Sequence, residues 1–406
     1  MASSLFRWLK IALINLLIVA TLGVVLRYKI LFPLPFVDQK HLLHGHSHFA
    51  FAGWITQALM TMMIIYLARQ SEKPVYKKYY WLLLANLLTA YAMLIAFPIE
   101  GYGLYSIIFS TLSIFVSYAF GILFWKDLNK LPERSTAHSW FKAAVFFNAL
   151  SSIGAFALAI MMVNKVIHQT WYLAAEYFYL HFQYNGWFFF GCMGLFTALI
   201  SRFNISKIAL KKIFRLFLFA SVPAYFLSTL WMPMPMVVYV LVVIAAFAQV
   251  IAFIWLVKIV SLKWNELKGN FSATSKCILG LSATALSIKL LLQLGSTIPA
   301  LSDLAFGFRP IVIGYLHLVL LGVISLFLIG YLFSEMHFKL SKLTTAGVFI
   351  FSGAVILNEI VLMVQGVVAI SYNTIPFVNE MLLCTALLLF TGALLMTFAK
   401  RKTLQN

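Results

Sequence analysis

Three of the nine histidines in this 406-residue chain share one local pattern. Each is followed by four residues and a glycine, as His48-FAFA-Gly53, His181-FQYN-Gly186 and His317-LVLL-Gly322. An imidazole ligates metals and takes or gives a proton near neutral pH. A glycine about a turn and a half further along a helix leaves room for a flat cofactor to approach. A second group crowds the start of the first of these segments, HLLHGHSHFAFAGW. There His41, His44 and His48, spaced i, i+3 and i+7, fall on one helix face. That set suits copper or zinc, and it equally suits the hydrogen-bonded mouth of a wet helix. His46 stands roughly 200° around the helix from His48, so the two cannot face one metal. Lys289 and Glu359 lie inside otherwise apolar runs. A charge at that depth costs roughly 2.5–3.5 kcal/mol and asks for a partner or a water cavity; an ion pair and a proton path both fit.

The elements that position these residues follow from composition. The chain is 63% hydrophobic and 10% charged, with a mean hydropathy of +0.96. Soluble domains carry about 25% charged residues, so a soluble globular fold is excluded and a multi-pass all-α membrane protein is implied. The net charge of +19 is scattered between apolar runs and forms no nucleic-acid-binding face. Cys192, Cys277 and Cys384 form no CxxC pair, so neither a disulfide framework nor a thiolate metal site is expected. The first run, Trp8 to Leu26, is too long for a signal-peptide core and reads as a retained helix. Apolar spans are expected near residues 8–28, 41–68, 77–97, 102–125, 140–164, 174–200, 212–232, 235–261, 272–295, 309–333, 343–366 and 376–399. Breaks fall at Pro33 and Pro35, at Ser71-Glu72-Lys73-Pro74, from Pro98 to Gly103, at Leu131 to Arg134, from Arg202 to Lys212 and from Asn265 to Asn270. Alternate connections hold 24 basic residues against 5 on the other side. This positive-inside bias predicts a bacterial-type inner membrane protein with both termini cytoplasmic.

The motif histidines recur at intervals of 133 and 136 residues, on the second, sixth and tenth expected spans. Each lies seven or eight residues into its span, roughly 10–12 Å deep. Three four-helix repeats within one transmembrane domain are expected, roughly 1–135, 136–270 and 271–406, with the three imidazoles facing a common centre. Transporters of this size usually repeat in halves; this chain repeats in thirds.

Twelve spans in three groups of four, with histidine on spans two, six and ten, resemble the catalytic subunit of the heme–copper oxidases, in particular its cbb3-type oxidase and nitric oxide reductase branch. The resemblance covers the whole chain in topology and three short motifs in sequence. It implies one low-spin heme b held by a span-two histidine, His46 or His48, and by His317, the second position of the family's span-ten His-x-His in GYLHLVLLG. It further implies that Arg309 pairs with heme propionates, unless it snorkels to the interface, and that a cytochrome c or another redox subunit is the partner.

The departures are specific. Tyr315 occupies the position of the histidine that holds the high-spin heme. The span-six copper ligand corresponds to His181, but the His-His pair of span seven is missing from FLSTLWMPMP, Phe226 to Pro235. Tyr184 lies at +3 from His181, so the family's cross-linked His–Tyr pair is not reproduced. Copper in the family geometry, and oxygen or nitric oxide reduction, are therefore not expected. A second, ferric heme on Tyr315 is conceivable. His181 would then be a lone metal contact, a hydrogen-bond donor into a cavity, or a relic. A second resemblance is to the NnrS-type membrane proteins, whose His-x-His with a glycine five residues on is similar to His46-Ser47-His48-FAFA-Gly53. Three functions stay open: b-heme electron transfer or gas sensing, heme or metal handling and transport, and a structural or assembly subunit.

Overall fold

The computed structural model describes residues 2–71, 76–166, 168–334 and 338–401. Glu72, Lys73 and Pro74 of the expected second break, and the basic Lys402, lie outside the described residues. Among the described residues, ten helices are long and apolar enough to cross a membrane. They run over Leu5–Leu31, Gln39–Gln70, Tyr76–Glu100, Leu104–Leu128, Thr136–Val163, Met236–Leu262, Ala273–Gly295, Arg309–Ser334, Lys342–Ile370 and Val378–Thr397. Exposed apolar side chains such as Trp81, Ile99, Leu104, Ile208 and Val237 clothe the helices, which only a hydrocarbon solvent tolerates at this density. The chain is a multi-pass, all-helical membrane protein in contact with the lipid bilayer. The small exception to helix is a two-residue antiparallel bridge between Phe338–Lys339 and Lys400–Arg401.

Two expected spans depart from the simple pattern. Residues 169–200 form one unbroken helix, but Gln183 and Asn185 interrupt its apolar run. The next, Lys207–Ser221, is only 15 residues long. Pro223, which has no N–H to continue the ladder, turns the chain into a 3-10 helix over Pro223–Thr229.

Three helices carry a π-helical insert, and each insert follows a motif histidine. Ala50–Thr56 follows His48, Phe182–Phe188 follows His181, and Leu318–Ser325 follows His317. Each insert contains its motif glycine. These helices are named below by their histidines. Past the motif they become interior: every residue from Gly53 to Leu67 and from His181 to Leu195 is buried.

A π turn displaces the hydrogen-bond ladder by one residue and leaves carbonyls short of donors. Buried polar side chains meet that need. Asn15 Nδ2 donates to Gly53 O at 2.6 Å and Asn86 Nδ2 to Ala52 O at 3.1 Å. At the third insert Ser282 Oγ donates to Val323 O at 2.7 Å. Polar residues in these spans thus have a structural cause.

Packing divides the chain into two units, Met1–Leu123 with Ala273–Leu279 and Ser325–Asn406, and Phe124–Ser272 with Gly280–Ile324. In the first, Lys342–Ile370 and Val378–Thr397 cross where Gly347 and Gly392 meet; a Cβ on Gly392 would lie 2.6 Å from Phe351 N. Such small-residue crossings let membrane helices approach closely. In the second, Thr136–Val163 packs along residues 169–200. Phe147 fills the notch at Gly186, Phe141 fills that at Gly194, and the backbone of residues 175 and 179 approaches Gly154.

Candidate functional site

The His48 helix begins at Asp38, whose side chain accepts the His41 N–H at 2.8 Å. That hydrogen bond holds the Asp38 carboxyl below the usual carboxylate range. His41, His44 and His48 do share a face, and it is spent on the end of Tyr76–Glu100 and the turn beyond. The His48 ring stacks on Phe97 at 4.1 Å, and its Nε2 lies 3.4 Å from Tyr102 Oη. His44 meets Tyr102 edge-on at 4.6 Å. The His41 ring sits 2.5 Å from where a Cβ on Gly101 would be, and Gly101 has φ +60°, a conformation suited to glycine. The His44 and His48 rings thus share Phe97 and Tyr102, and the His41 ring lies against the Gly101 backbone. Among the described residues no group of three or more His, Cys, Asp or Glu side chains is arranged to hold a metal ion. His46 points elsewhere, toward Leu5–Leu31, where its Cε1 would lie 3.7 Å from a Cβ on Gly23.

In the second unit His181 is 1% exposed and both ring nitrogens are engaged. Nε2 lies 2.9 Å from Ser221 O, and Asn185 Nδ2 lies 3.1 Å from Nδ1. Donor and acceptor roles settle each other: Nε2–H donates to the carbonyl, and Nδ1 accepts from the amide. The carbonyl is available because Tyr225 N–H bonds Val222 O at 3.2 Å in the 3-10 turn, leaving Ser221 O without its helical donor. His181 is thus a hydrogen-bonded strut between two helices. Its lone pair is occupied, and metal ligation would require breaking the contact with Asn185.

Beside it lies a cavity with about 10 Å³ of room, lined by His181, Asn185, Ser221, Gln249 and Lys289 with the rings of Phe189 and Phe217. Of the alternatives for His181, donation into a cavity does not describe its N–H, which turns to the main chain at Ser221 O. Lys289 is 4% exposed, and its ammonium sits 5.8 Å from the centre of the Phe189 ring. The second network nearby joins Gln183 Nε2 to Asn148 Oδ1 at 2.9 Å and to Ser151 Oγ at 2.8 Å. Glu359, in the first unit, accepts from Asn358 Nδ2 at 3.2 Å.

His317 is half-buried, with Nδ1 2.8 Å from Ile313 O one turn back. The carbonyl requires a proton on Nδ1 and so puts the lone pair on Nε2, the orientation that a ligating histidine receives from a backbone acceptor. Tyr315 makes an edge-on contact with Tyr184 at 6.5 Å. Arg309 is exposed at the start of its helix.

Fit to a heme divides by residue. The neutral imidazole of His317, with its lone pair on Nε2, has the donor chemistry of a heme ligand. The three motif glycines give no cradle for it: Phe49 fills the notch at Gly53, Phe147 that at Gly186, and Ala285 with Leu318 that at Gly322. The residues missed in the sequence were Asn15, Asn148 and Gln249. A signal existed for the first two, since each stands 33 residues before its motif histidine, 15 to 48 and 148 to 181. Compared with models of known families and with curated proteins, the chain matches none.

Proposed function

We propose that the chain is a twelve-span inner-membrane b-heme protein on an oxidase-like scaffold of three four-helix repeats, serving electron transfer or diatomic-gas binding. His317 would hold the iron together with His46 or His48, as the resemblance implies. The observation that carries this reading is His317 itself, whose Nδ1–H donates to Ile313 O and leaves the lone pair on Nε2. His46 is preferred to His48 because the His48 ring is stacked on Phe97. A bis-imidazole heme b, when bound, carries one electron with no change of ligands. The chain's contribution is to fix the His317 tautomer and to keep the surroundings apolar. Tyr315 and His181 offer neither a proximal imidazole nor an open copper ligand, so reduction of oxygen or nitric oxide by the family's mechanism is not proposed.

The repeated π inserts support the threefold organisation. The count of twelve rests on charge: Arg202, Lys207, Lys211, Lys212 and Arg215 reach the cytoplasmic side with the other basic loops only if residues 169–200 and 207–229 both cross. Length permits this, because fifteen α residues and seven 3-10 residues extend about 36 Å against a core of about 30 Å. Both termini are then cytoplasmic. A reduced-minus-oxidised absorption spectrum of the purified protein tests the reading. A bis-histidine b-type spectrum, abolished by His317→Ala, is expected; wild type without heme refutes it.

A further inference from the structure

We infer that the cavity beside Lys289 is a binding site for one small monatomic anion of the halide class. Four observations combine. Lys289 is 4% exposed and Gln249 7% exposed, and both end in the same cavity. Neither makes a hydrogen bond or ion pair with any described residue, although buried polar groups are normally satisfied. Among the described residues the lining contains no carboxylate, so none of them neutralises an ammonium. Two of its acceptors are used, Ser221 O by the His181 Nε2–H and His181 Nδ1 by one Asn185 N–H, which leaves chiefly the amide oxygens of Gln249 and Asn185.

Donors outnumber these acceptors. The Lys289 ammonium offers three, the Gln249 amide two, and Asn185 the second hydrogen of its amide. A guest that satisfies them must accept and carry negative charge. Size then restricts it. Room of about 10 Å³ admits one guest near the size of water, which suits fluoride or, with small side-chain movement, chloride. Nitrate, sulfate and carboxylates are too large. The rings of Phe189 and Phe217 close the remaining sides, and the Phe189 face lies against the ammonium. His181 is the one other titratable group lining the cavity.

The test uses the full-length protein in detergent or nanodiscs. Its thermal unfolding is followed in sodium fluoride, chloride, nitrate and gluconate at equal ionic strength. Fluoride or chloride is expected to raise the unfolding midpoint above that in gluconate, with nitrate ineffective. In Lys289→Met the halide shift disappears, and the gluconate midpoint rises because an uncompensated buried charge has gone. Gln249→Ala is expected to weaken the apparent halide affinity about tenfold, the loss of one hydrogen bond to a charged partner. Line broadening of the chloride-35 resonance by wild type provides a direct binding signal. Equal halide shifts in wild type and Lys289→Met, nitrate as effective as chloride, or no halide response in wild type would each overturn the assignment. If Lys289→Met cannot be recovered, an unchanged halide response in Gln249→Ala does so.

Discussion

The His48 and His181 helices carry the same string, His-Phe, three residues, Gly-Trp, and the same π insert, yet they use their histidines differently. His48 lies flat on Phe97 at the rim of its unit, with one long contact to Tyr102. His181 is buried and spans two helices through both ring nitrogens. The inserts also differ in their support. Around Gly53 neutral amides from Asn15 and Asn86 meet displaced carbonyls, whereas beside His181 lies a lysine with no carboxylate in its cavity. The shared string dictates backbone form, and the neighbouring helix decides the chemistry. Pro223 makes the difference concrete: by ending Lys207–Ser221 it leaves the carbonyl that claims His181.

Substitution of both histidines by phenylalanine should separate the two roles most widely. His181→Phe leaves Ser221 O and the Asn185 amide without partners, at about 1–3 kcal/mol for each buried group. His48→Phe retains an aromatic stack on Phe97 and should cost less than about 1 kcal/mol. Thermal unfolding of the two variants in one detergent compares them, and equal losses would erase the distinction.

The motif glycines provide a graded series. A Cβ on Gly186 would lie 2.5 Å from Phe147 Cβ, an atom fixed to a neighbouring helix. Gly186→Ala should therefore cost about 2–3 kcal/mol through overpacking. On Gly53 the obstacle is the edge of the buried Phe49 ring at 2.7 Å, a side chain that can tilt where a Cβ cannot, so about 1–2 kcal/mol is expected. At Gly322 the nearest atom is Ala285 Cβ at 3.0 Å, and the helix propensity gained, up to about 1 kcal/mol, should leave Gly322→Ala near neutral. A different order of unfolding midpoints would show that these glycines are not packing notches.

A subtler effect separates the two sides of the Gly53 insert. Asn15→Leu deprives Gly53 O and Tyr91 Oη of their partner, while Asn86→Leu deprives Ala52 O and Gln57 Oε1. Each should cost about 1–3 kcal/mol and speed amide exchange within Ala50–Thr56. Unchanged exchange would mean that the π turn stands without these caps.

Much of this was legible before any coordinates. Of the twelve spans expected from hydropathy, ten are helices of membrane length among the described residues, and the recurrence of His-x4-Gly pointed to the three π-bearing helices. Other features lacked a one-dimensional signal. A π insert has no composition of its own; its trace is the pair Asn15 and Asn148, apolar-span asparagines at equal distance from their histidines. The sequence-based use of glycine as an opening for a flat cofactor differs from its use here, because Phe49, one turn before Gly53 on the same helix, and Phe147, from a neighbouring helix, fill the notches. Likewise, Gln249 reads as one polar residue in an apolar run until folding places it beside Lys289.

The absorption spectrum of the purified protein tests the proposed heme most directly when wild type, His317→Ala and His48→Phe are compared. The expected result is a bis-histidine b-type signal in wild type, loss of that signal in His317→Ala and its persistence in His48→Phe. A wild-type protein without heme, or a normal bis-histidine signal in His317→Ala, would contradict the assignment.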